Sequence, residues 1–148
     1  MKRILVIDDD DAIRRWLTEY LVDLGYETQV AVDGDHAIRS AVALRPDLIL
    51  LDVRVPRPAS ALRFAERYRE RVPADRRAPI IAMSAGNDLE AVAQQLGAND
   101  ALPKPFELSA LVKILAKYLE DPVPAPTPEA ADPALAPEIT PRPETGPA

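Results

Sequence analysis

Five short segments with the character of β-strands alternate with five amphipathic segments between residues 3 and 119. The strand candidates are RILVI at 3–7, YETQVA at 26–31, DLILLDV at 47–53, APIIAMS at 78–84 and DALP at 100–103. In the intervening segments apolar residues recur every three or four positions, which is the spacing of a helix with one buried face. This alternation predicts five βα units, and therefore an α/β fold in which an open parallel sheet carries helices on both faces.

Individual residues mark the limits of these elements. Gly25 is predicted to end the first helix and Gly97 the fourth, because glycine commonly follows the last helical residue. The apolar run inside 47–53 indicates a central strand that is covered on both sides. The third helix is predicted over 60–72, and its inward face carries Ala61, Ala65, Tyr68 and Val72.

Composition excludes several classes of protein. The chain has 148 residues, no cysteine and a net charge of −6. Disulfides and thiolate metal sites are therefore excluded, and an acidic chain is a poor nonspecific binder of nucleic acid. Arginines such as Arg14 and Arg15 are expected on solvated helix faces. The sequence has neither a long apolar run nor the pattern of a signal peptide, so we expect a cytoplasmic protein that does not insert into a membrane.

The composition changes sharply near residue 121. Nine of the 16 prolines lie between residues 122 and 148, and helical or strand periodicity disappears there. Such a segment buries too little apolar surface to offset the entropy lost on ordering. We therefore predict a folded domain over 1–121 and a disordered tail over 122–148, which serves as a spacer or, alternatively, as a docking segment.

Polar residues stand where the predicted strands end. Asp8 and Asp9 follow the first strand, Asp52 ends the third, Ser84 ends the fourth and Lys104 follows the fifth. In open parallel sheets, ligands bind beyond the carboxyl ends of the strands. No glycine-rich phosphate loop is present, so any chemistry must rest on three carboxylates, one hydroxyl and one amine.

Three carboxylates at one sheet edge would repel one another strongly or share protons, unless a cation neutralises them. Two like charges about 4 Å apart repel by about 4 kcal/mol at an effective dielectric constant of about 20. Ligands that are all oxygen suit Mg²⁺, with Mn²⁺ as a possible substitute. A nearby lysine supplies a positive charge for a phosphoryl oxygen. Together these residues predict a site that holds a phosphoryl group between a metal ion and an amine.

The next two aspartates have a different predicted role. Asp10 and Asp11 stand where the first helix begins, and we expect them to serve as its N-cap and as a first-turn anion favoured by the helix dipole. On the same helix, Trp16 is expected to pack in the core rather than to contact a ligand. His36, the only histidine, is expected on the surface, so the chain should not carry a phosphohistidine.

Four motifs in this order resemble the receiver domain of two-component response regulators. They are ILVIDDD, LILLDV with a proline at position 56, PIIAMSA and GANDALPKPF, and the resemblance covers residues 2 to about 120. It implies a flavodoxin-like (βα)₅ fold whose five parallel strands lie in the order 2-1-3-4-5. It also implies a cis peptide bond between Lys104 and Pro105.

The resemblance implies specific roles for the residues at the strand ends. Asp52 would accept a phosphoryl group, and Asp9, Asp52 and the backbone carbonyl of Arg54 would bind Mg²⁺ directly. Asp8 would assist, for instance through a water molecule, and Lys104 would pair with Asp52 and then with the phosphoryl oxygens.

The resemblance also implies partners. Ser84 would donate a hydrogen bond to the phosphoryl group, which would come from a histidine kinase, a histidine phosphotransfer protein or a small acyl phosphate. The chain would act as a signalling phosphoacceptor rather than as an enzyme, and an unidentified protein would lie downstream. No DNA-binding pattern follows the receiver segment, so we expect a stand-alone receiver without direct nucleic-acid binding.

The sequence departs from the family pattern in three places. Ala101 occupies the position where receivers usually carry Tyr or Phe, the loop at 57–60 lacks the usual glycines, and Arg54 lies two residues beyond Asp52. The first two departures leave open a second function, a receiver-like scaffold that binds proteins without being phosphorylated. The third argues against an aspartate-based phosphatase, which needs a carboxylate where this chain has Arg54.

Overall fold

The computed structural model describes residues 2–53 and 58–119, which form one sheet with helices on both faces. The strands are β1 (Arg3–Ile7), β2 (Glu27–Ala31), β3 (Leu48–Asp52), β4 (Ile80–Ser84) and β5 (Asp100–Pro103). The helices are α1 (Asp11–Asp23), α2 (Gly34–Leu44), α3 (Pro58–Arg71), α4 (Leu89–Leu96) and α5 (Leu108–Leu119), with a short 3₁₀ turn at Ala74–Arg76.

The five strands are parallel and lie in the order β2-β1-β3-β4-β5. The predicted fold class and strand order are therefore confirmed. The register pairs Ile7 with Leu51, Asp52 with Met83 and Ser84 with Pro103. As a result the carboxyl ends of β1, β3, β4 and β5 are aligned along one edge of the sheet, and the residues that follow them are neighbours.

Each face of the sheet has its own hydrophobic core. Alternate residues of β1 point to opposite faces, so Leu5 and Ile7 pack against α2, α3 and α4, while Ile4 and Val6 pack against α1 and α5. Every residue of β3 is buried, as expected for a central strand that is covered on both sides. The two cores clamp the sheet, and they leave its carboxyl edge to polar residues.

The helix limits agree with the glycine signals. Gly25 and Gly97 both adopt positive φ, at 99° and 72°, the region in which residues with a Cβ are disfavoured. A Cβ on Gly97 would also lie 2.7 Å from Nη2 of Arg69, a side chain that donates a hydrogen bond to the Gly97 carbonyl. The positive φ therefore favours glycine at the end of α4, and a larger residue there would also displace the Arg69 guanidinium.

The third helix differs from its prediction. It begins at Pro58, two residues early, because proline has a backbone φ suited to the first helical position. It ends at Arg71, so Val72 lies just beyond it but still packs against the core. Phe64, which the prediction omitted from the inward face, is 2% exposed and stacks on Tyr68.

Other local predictions are confirmed. Trp16 is buried, stacks on Tyr20 and lies 6.0 Å, centroid to centroid, from Phe106. The Lys104–Pro105 peptide bond is cis.

Within the described residues, no helix has the length and apolar character that crossing a membrane requires. The tail predicted over 122–148 and the loop residues Arg54 and Arg57 lie outside the described residues, so the domain boundary stays a prediction.

The start of α1 provides a test of helix capping. The Asp10 carboxylate accepts hydrogen bonds from the backbone N–H groups of Ala12 and Ile13, at 2.9 and 3.2 Å. We predict that Asp10→Ala lowers the free energy of unfolding by about 0.5–2 kcal/mol, because these N–H groups lose their acceptor. Urea denaturation measures the change. Asp10→Asn keeps an acceptor oxygen and should stay near wild type; equal stability of all three proteins would contradict the capping role.

Candidate metal centre

The predicted functional side chains meet at the carboxyl edge of the sheet. Asp8 follows β1, Asp52 is the last residue of β3, Ser84 is the last residue of β4 and Lys104 follows β5. The strands β1, β3, β4 and β5 are consecutive in the sheet, so these four residues lie side by side along its edge in the same order as in the sequence. Four separate segments of the chain therefore contribute to one site.

Three carboxylates form the acidic part of this site. One carboxylate oxygen from each of Asp8, Asp9 and Asp52 lies within 4.8 Å of the other two. Asp8 is 0% and Asp52 is 7% exposed, whereas Asp9 is exposed. The cluster thus has two buried carboxylates and one at the surface, which gives a cation a route from solvent.

Lys104 balances part of this negative charge. Its Nζ lies 2.7 Å from Oδ2 of Asp8 and 3.3 Å from Oδ2 of Asp52. The resemblance implied a pairing with Asp52, and the structure adds a shorter contact with Asp8. With all four groups ionised, three carboxylates and one ammonium group leave an excess of two negative charges. A divalent cation would neutralise that excess.

Burial shifts the protonation of the charged pair. Loss of solvation, with a smaller contribution from the charge of Asp52, outweighs the opposing hydrogen bonds from Lys104 and Asp10 and the charge of Lys104, and the net effect raises the pKa of Asp8 to about 6. Burial alone would lower the pKa of Lys104, but its hydrogen bond to Asp8 and the charges of Asp8 and Asp52 outweigh this, so its pKa is raised. The lysine is therefore fully charged at neutral pH.

The main chain around Asp8 is held by several hydrogen bonds. The N–H of Asp8 donates to the carbonyl of Ala31 at 3.2 Å, and the N–H of Asp10 donates to Oδ1 of Asp8 at 3.0 Å. The carbonyl of Asp8 accepts a hydrogen bond from Nη1 of Arg14 at 2.9 Å. These contacts orient the Asp8 carboxylate before any ligand binds.

Arg14 is a residue that the sequence analysis misplaced. The expectation of a solvated face is wrong for it: its side chain is 17% exposed, and it pairs with Asp11 as well as with the Asp8 carbonyl. The spacing of Asp11 and Arg14, three residues apart on a helix, was a usable signal for the ion pair. The contact to the carbonyl depends on the path of the loop and has no sequence signal.

Ser84 belongs to a tight turn at the end of β4. Its side chain is buried, and its Oγ accepts a hydrogen bond from the N–H of Gly86 at 2.9 Å. The N–H of Lys104 donates to the carbonyl of Ser84 at 2.8 Å, so the main chains of these two residues are joined. A movement of Ser84 would therefore affect both the loop before α4 and the position of Lys104.

The remaining predicted residues occupy different surroundings. Ala101 is half-buried and packs against the core formed by α2, α3 and α4. His36 is exposed in the first turn of α2, as expected for a surface residue. The backbone carbonyl of Arg54, predicted as a metal ligand, lies outside the described residues. Asp10 and Asp11 form the cap and first turn of α1, as predicted.

The donor set fits Mg²⁺. Its atoms are carboxylate oxygens, the ligand type that Mg²⁺ and Mn²⁺ prefer, and the Mg²⁺ ion usually combines one or two carboxylates with phosphate oxygens and waters. The pKa of Asp8 is raised mainly by burial and to a smaller extent by the charge of Asp52, so the ionised form of Asp8 is less stable here than in water. A bound cation would stabilise that ionised form.

Comparison with known proteins points to one family. The sequence model of the response regulator receiver domain family matches residues 4–116 of this chain. The DNA-binding response regulator MtrA of Mycolicibacterium smegmatis is 37% identical over 113 residues, which are 75% of this chain and 47% of that protein. The chain spans between about a quarter and a half of the length of the curated relatives it matches.

Solved structures agree with this family. The receiver domain of a sensor histidine kinase from Pseudomonas aeruginosa, with a magnesium ion coordinated in its active site cleft, has a TM-score of 0.70 and 33% identity. The match covers 81% of this chain and 98% of that one. The chemotaxis response regulator CheY4 of Vibrio cholerae has a TM-score of 0.69 and 30% identity, covering 80% and 98% of the respective chains.

The raised pKa of Asp8 gives a testable dependence of stability on pH. Its rise from 3.8 to about 6 corresponds to about 3 kcal/mol. The folded state keeps this proton at pH values where the unfolded chain has lost it, so the contribution of Asp8 to stability should fall as pH rises from about 4 to above 6. Without Mg²⁺, we predict that Asp8→Asn matches wild type near pH 4 and exceeds its free energy of unfolding by up to about 3 kcal/mol at pH 7.5.

Denaturation at a series of pH values provides the measurement. Asp75→Asn removes an exposed carboxylate from the 3₁₀ turn and serves as the matched control for the loss of one negative charge. A difference between Asp8→Asn and wild type that stays constant from pH 4 to pH 7.5 would contradict the raised pKa.

Proposed function

Because the chain belongs to the response regulator receiver domain family, we propose that Asp52 accepts a phosphoryl group from a histidine kinase or a histidine phosphotransfer protein. One observation carries the proposal: Asp52 ends the central strand, lies in the acidic cluster and has the Lys104 ammonium 3.3 Å from its carboxylate. An amine beside a carboxylate at a possible metal centre is the arrangement that transfer of a phosphoryl group to that carboxylate requires.

The proposed reaction is a substitution at phosphorus. A carboxylate oxygen of Asp52 attacks the phosphorus atom and forms a new oxygen–phosphorus bond, giving a mixed anhydride. The bond between phosphorus and the donor's imidazole nitrogen breaks, and its electron pair stays with the nitrogen. With a small acyl phosphate as donor, the phosphorus–oxygen bond breaks instead and a free carboxylate leaves.

Positioning and charge stabilisation provide the catalysis in this proposal. Lys104 donates hydrogen bonds to the oxygens of the transferred group and stabilises the charge that develops on them. The Ser84 hydroxyl, whose oxygen accepts a hydrogen bond from the N–H of Gly86, donates its own hydrogen to a phosphoryl oxygen. Lys104 is anchored between two carboxylates, so it needs little rearrangement to reach a group on Asp52.

Mg²⁺, or alternatively Mn²⁺, is the proposed cofactor. Asp9 and Asp52 would hold it together with the backbone carbonyl of Arg54, and Asp8 would support it directly or through water. When bound, the cation neutralises the acidic cluster and the charge on the phosphoryl oxygens. The excess of negative charge around Asp52 supports this assignment, since a phosphoryl group would otherwise be repelled.

The receiver is proposed to act through protein contacts. Its net charge of −6 disfavours contact with nucleic acid by this domain, and a downstream protein is the expected partner. We propose that it works in the cytoplasm as a phosphoacceptor rather than as an enzyme with a separate substrate. The stand-alone character stays a prediction, because the curated relatives are longer and some are named as DNA-binding regulators.

Ala101 favours a second candidate function. Receivers usually carry an aromatic residue there, and the small side chain of this protein packs in the core instead. A receiver that kept its acidic cluster but lost the response to phosphorylation would act as a protein-binding scaffold. The two functions differ in one observable: only the first requires a phosphoryl group on Asp52.

Incubation with Mg²⁺ and a small acyl phosphate tests the proposal. We predict a single phosphoryl adduct in the intact mass of the wild-type protein. Asp52→Asn should show no adduct, because an amide cannot form the anhydride, and omission of Mg²⁺ should also abolish it. Asp10→Ala, which removes a carboxylate of the same loop outside the acidic cluster, should keep the adduct.

The possible outcomes separate the two functions. Equal adduct formation by wild type and Asp52→Asn would contradict the assignment of Asp52. A wild-type protein that binds Mg²⁺ but forms no adduct, either with the acyl phosphate or with a phosphorylated histidine phosphotransfer domain, would favour the scaffold.

A further inference from the structure

We infer that Arg14 is a positioning residue of the metal centre, which fixes the peptide between Asp8 and Asp9 so that both carboxylates face one cation. The inference rests on the proposed function, because it concerns the metal ion proposed there. It adds a residue of α1 that would act through the backbone of the loop rather than as a metal ligand.

The Arg14 side chain lies against the loop of residues 8–10 that joins β1 to α1. Nη1 donates a hydrogen bond of 2.9 Å to the carbonyl of Asp8, and Nη2 donates to Oδ1 of Asp11. One guanidinium group thus joins the residue that opens the loop to the first residue of α1. The planar, rigid fork of arginine suits this double contact, whereas lysine would supply a single mobile donor.

The accepting carbonyl belongs to the peptide that links two proposed metal ligands. Other hydrogen bonds also fix Asp8: its N–H donates to the Ala31 carbonyl, and its carboxylate accepts from the N–H of Asp10 and from Nζ of Lys104. Asp9 follows the bonded carbonyl, and its side chain is exposed at the surface of the cluster. Rotation of the Asp8–Asp9 peptide would turn Asp9 away, and the hydrogen bond from Arg14 opposes that rotation.

Burial distinguishes Arg14 from an ordinary surface arginine. Its side chain is 17% exposed, while that of its partner Asp11 is 81% exposed. Arg15, the next residue of α1, is exposed. The same helix therefore offers a control of identical chemistry one position away.

Positioning and simple electrostatics predict opposite results. Arg14 carries a positive charge beside a cation site, so removing that charge would strengthen cation binding if Coulomb repulsion were its main effect. If Arg14 holds the ligands in place, removing it should weaken binding. Loss of a group that orients metal ligands typically reduces metal affinity 10–100-fold. The sign of the change therefore identifies the role.

The test measures Mn²⁺ affinity by electron paramagnetic resonance of the free ion. We expect Arg14→Gln to bind Mn²⁺ about tenfold more weakly than wild type, and Arg14→Lys to recover part of the loss. Arg15→Gln should bind as tightly as wild type or slightly more tightly. Circular dichroism and urea denaturation establish that each variant is folded under the conditions used.

A second measurement requires no metal. The carbonyl that Arg14 contacts and the N–H of Asp9 belong to the same peptide group, so loss of the hydrogen bond should shift the ¹⁵N resonance of Asp9. The shift should appear in metal-free Arg14→Gln and be absent in Arg15→Gln.

A double-mutant cycle tests the part played by Asp11. If Asp11 acts only by holding Arg14, Asp11→Asn should weaken Mn²⁺ binding in the wild-type background but have no further effect in Arg14→Gln.

The outcomes separate this inference from the proposed function. Unchanged or tighter Mn²⁺ binding by folded Arg14→Gln would overturn the positioning role and leave the assignment of Asp52 intact. Weaker binding by Arg14→Gln, together with no phosphoryl adduct on wild type, would support the positioning role and contradict the proposed function. A wild-type protein that does not bind Mn²⁺ or Mg²⁺ would overturn both.

Discussion

Concentrated negative charge at the carboxyl edge of the sheet is the constraint on which the rest of the site depends. Asp8 and Asp52 are withdrawn from water by the two hydrophobic cores, and a single ammonium group, that of Lys104, compensates them in part. Burying charge without full compensation is costly, and proteins accept the cost where a ligand restores the balance. A cation bound at the acidic cluster would restore that balance, which is the basis of the metal site proposed above.

The architecture explains how such a site can be maintained. Strands β1, β3 and β4 are almost entirely apolar, so they are held from both faces and their ends are fixed in register. Polar residues appear only where the strands leave the cores. The helix that follows β1 contributes in turn, because its N-cap Asp10 and its residue Arg14 both bind atoms of Asp8. Stability and the proposed chemistry thus share the same short loop.

Much of this arrangement could be predicted from the sequence, and the reasons are physical. Periodicity identifies the elements, parallel strands bring their carboxyl ends together, and Asp8, Asp9, Asp52, Ser84 and Lys104 each follow or end a strand. The close contact between Lys104 and Asp8, and the contact between Arg14 and the Asp8 carbonyl, could not be predicted, because they depend on how loops turn. Phe64 was missed although it lies within the predicted helix and four residues before Tyr68, a spacing that periodicity could have detected.

The position of a bound ion tests the central claim most directly. Trace Mn²⁺ broadens the NMR signals of nearby nuclei, so a titration of ¹⁵N-labelled protein maps where the cation lies. The charge-compensation account predicts that the amide signals of Asp9, Asp10, Val53 and Lys104 disappear first. Broadening that begins instead at Asp33 and Asp35, the exposed acidic pair at the start of α2, would contradict it.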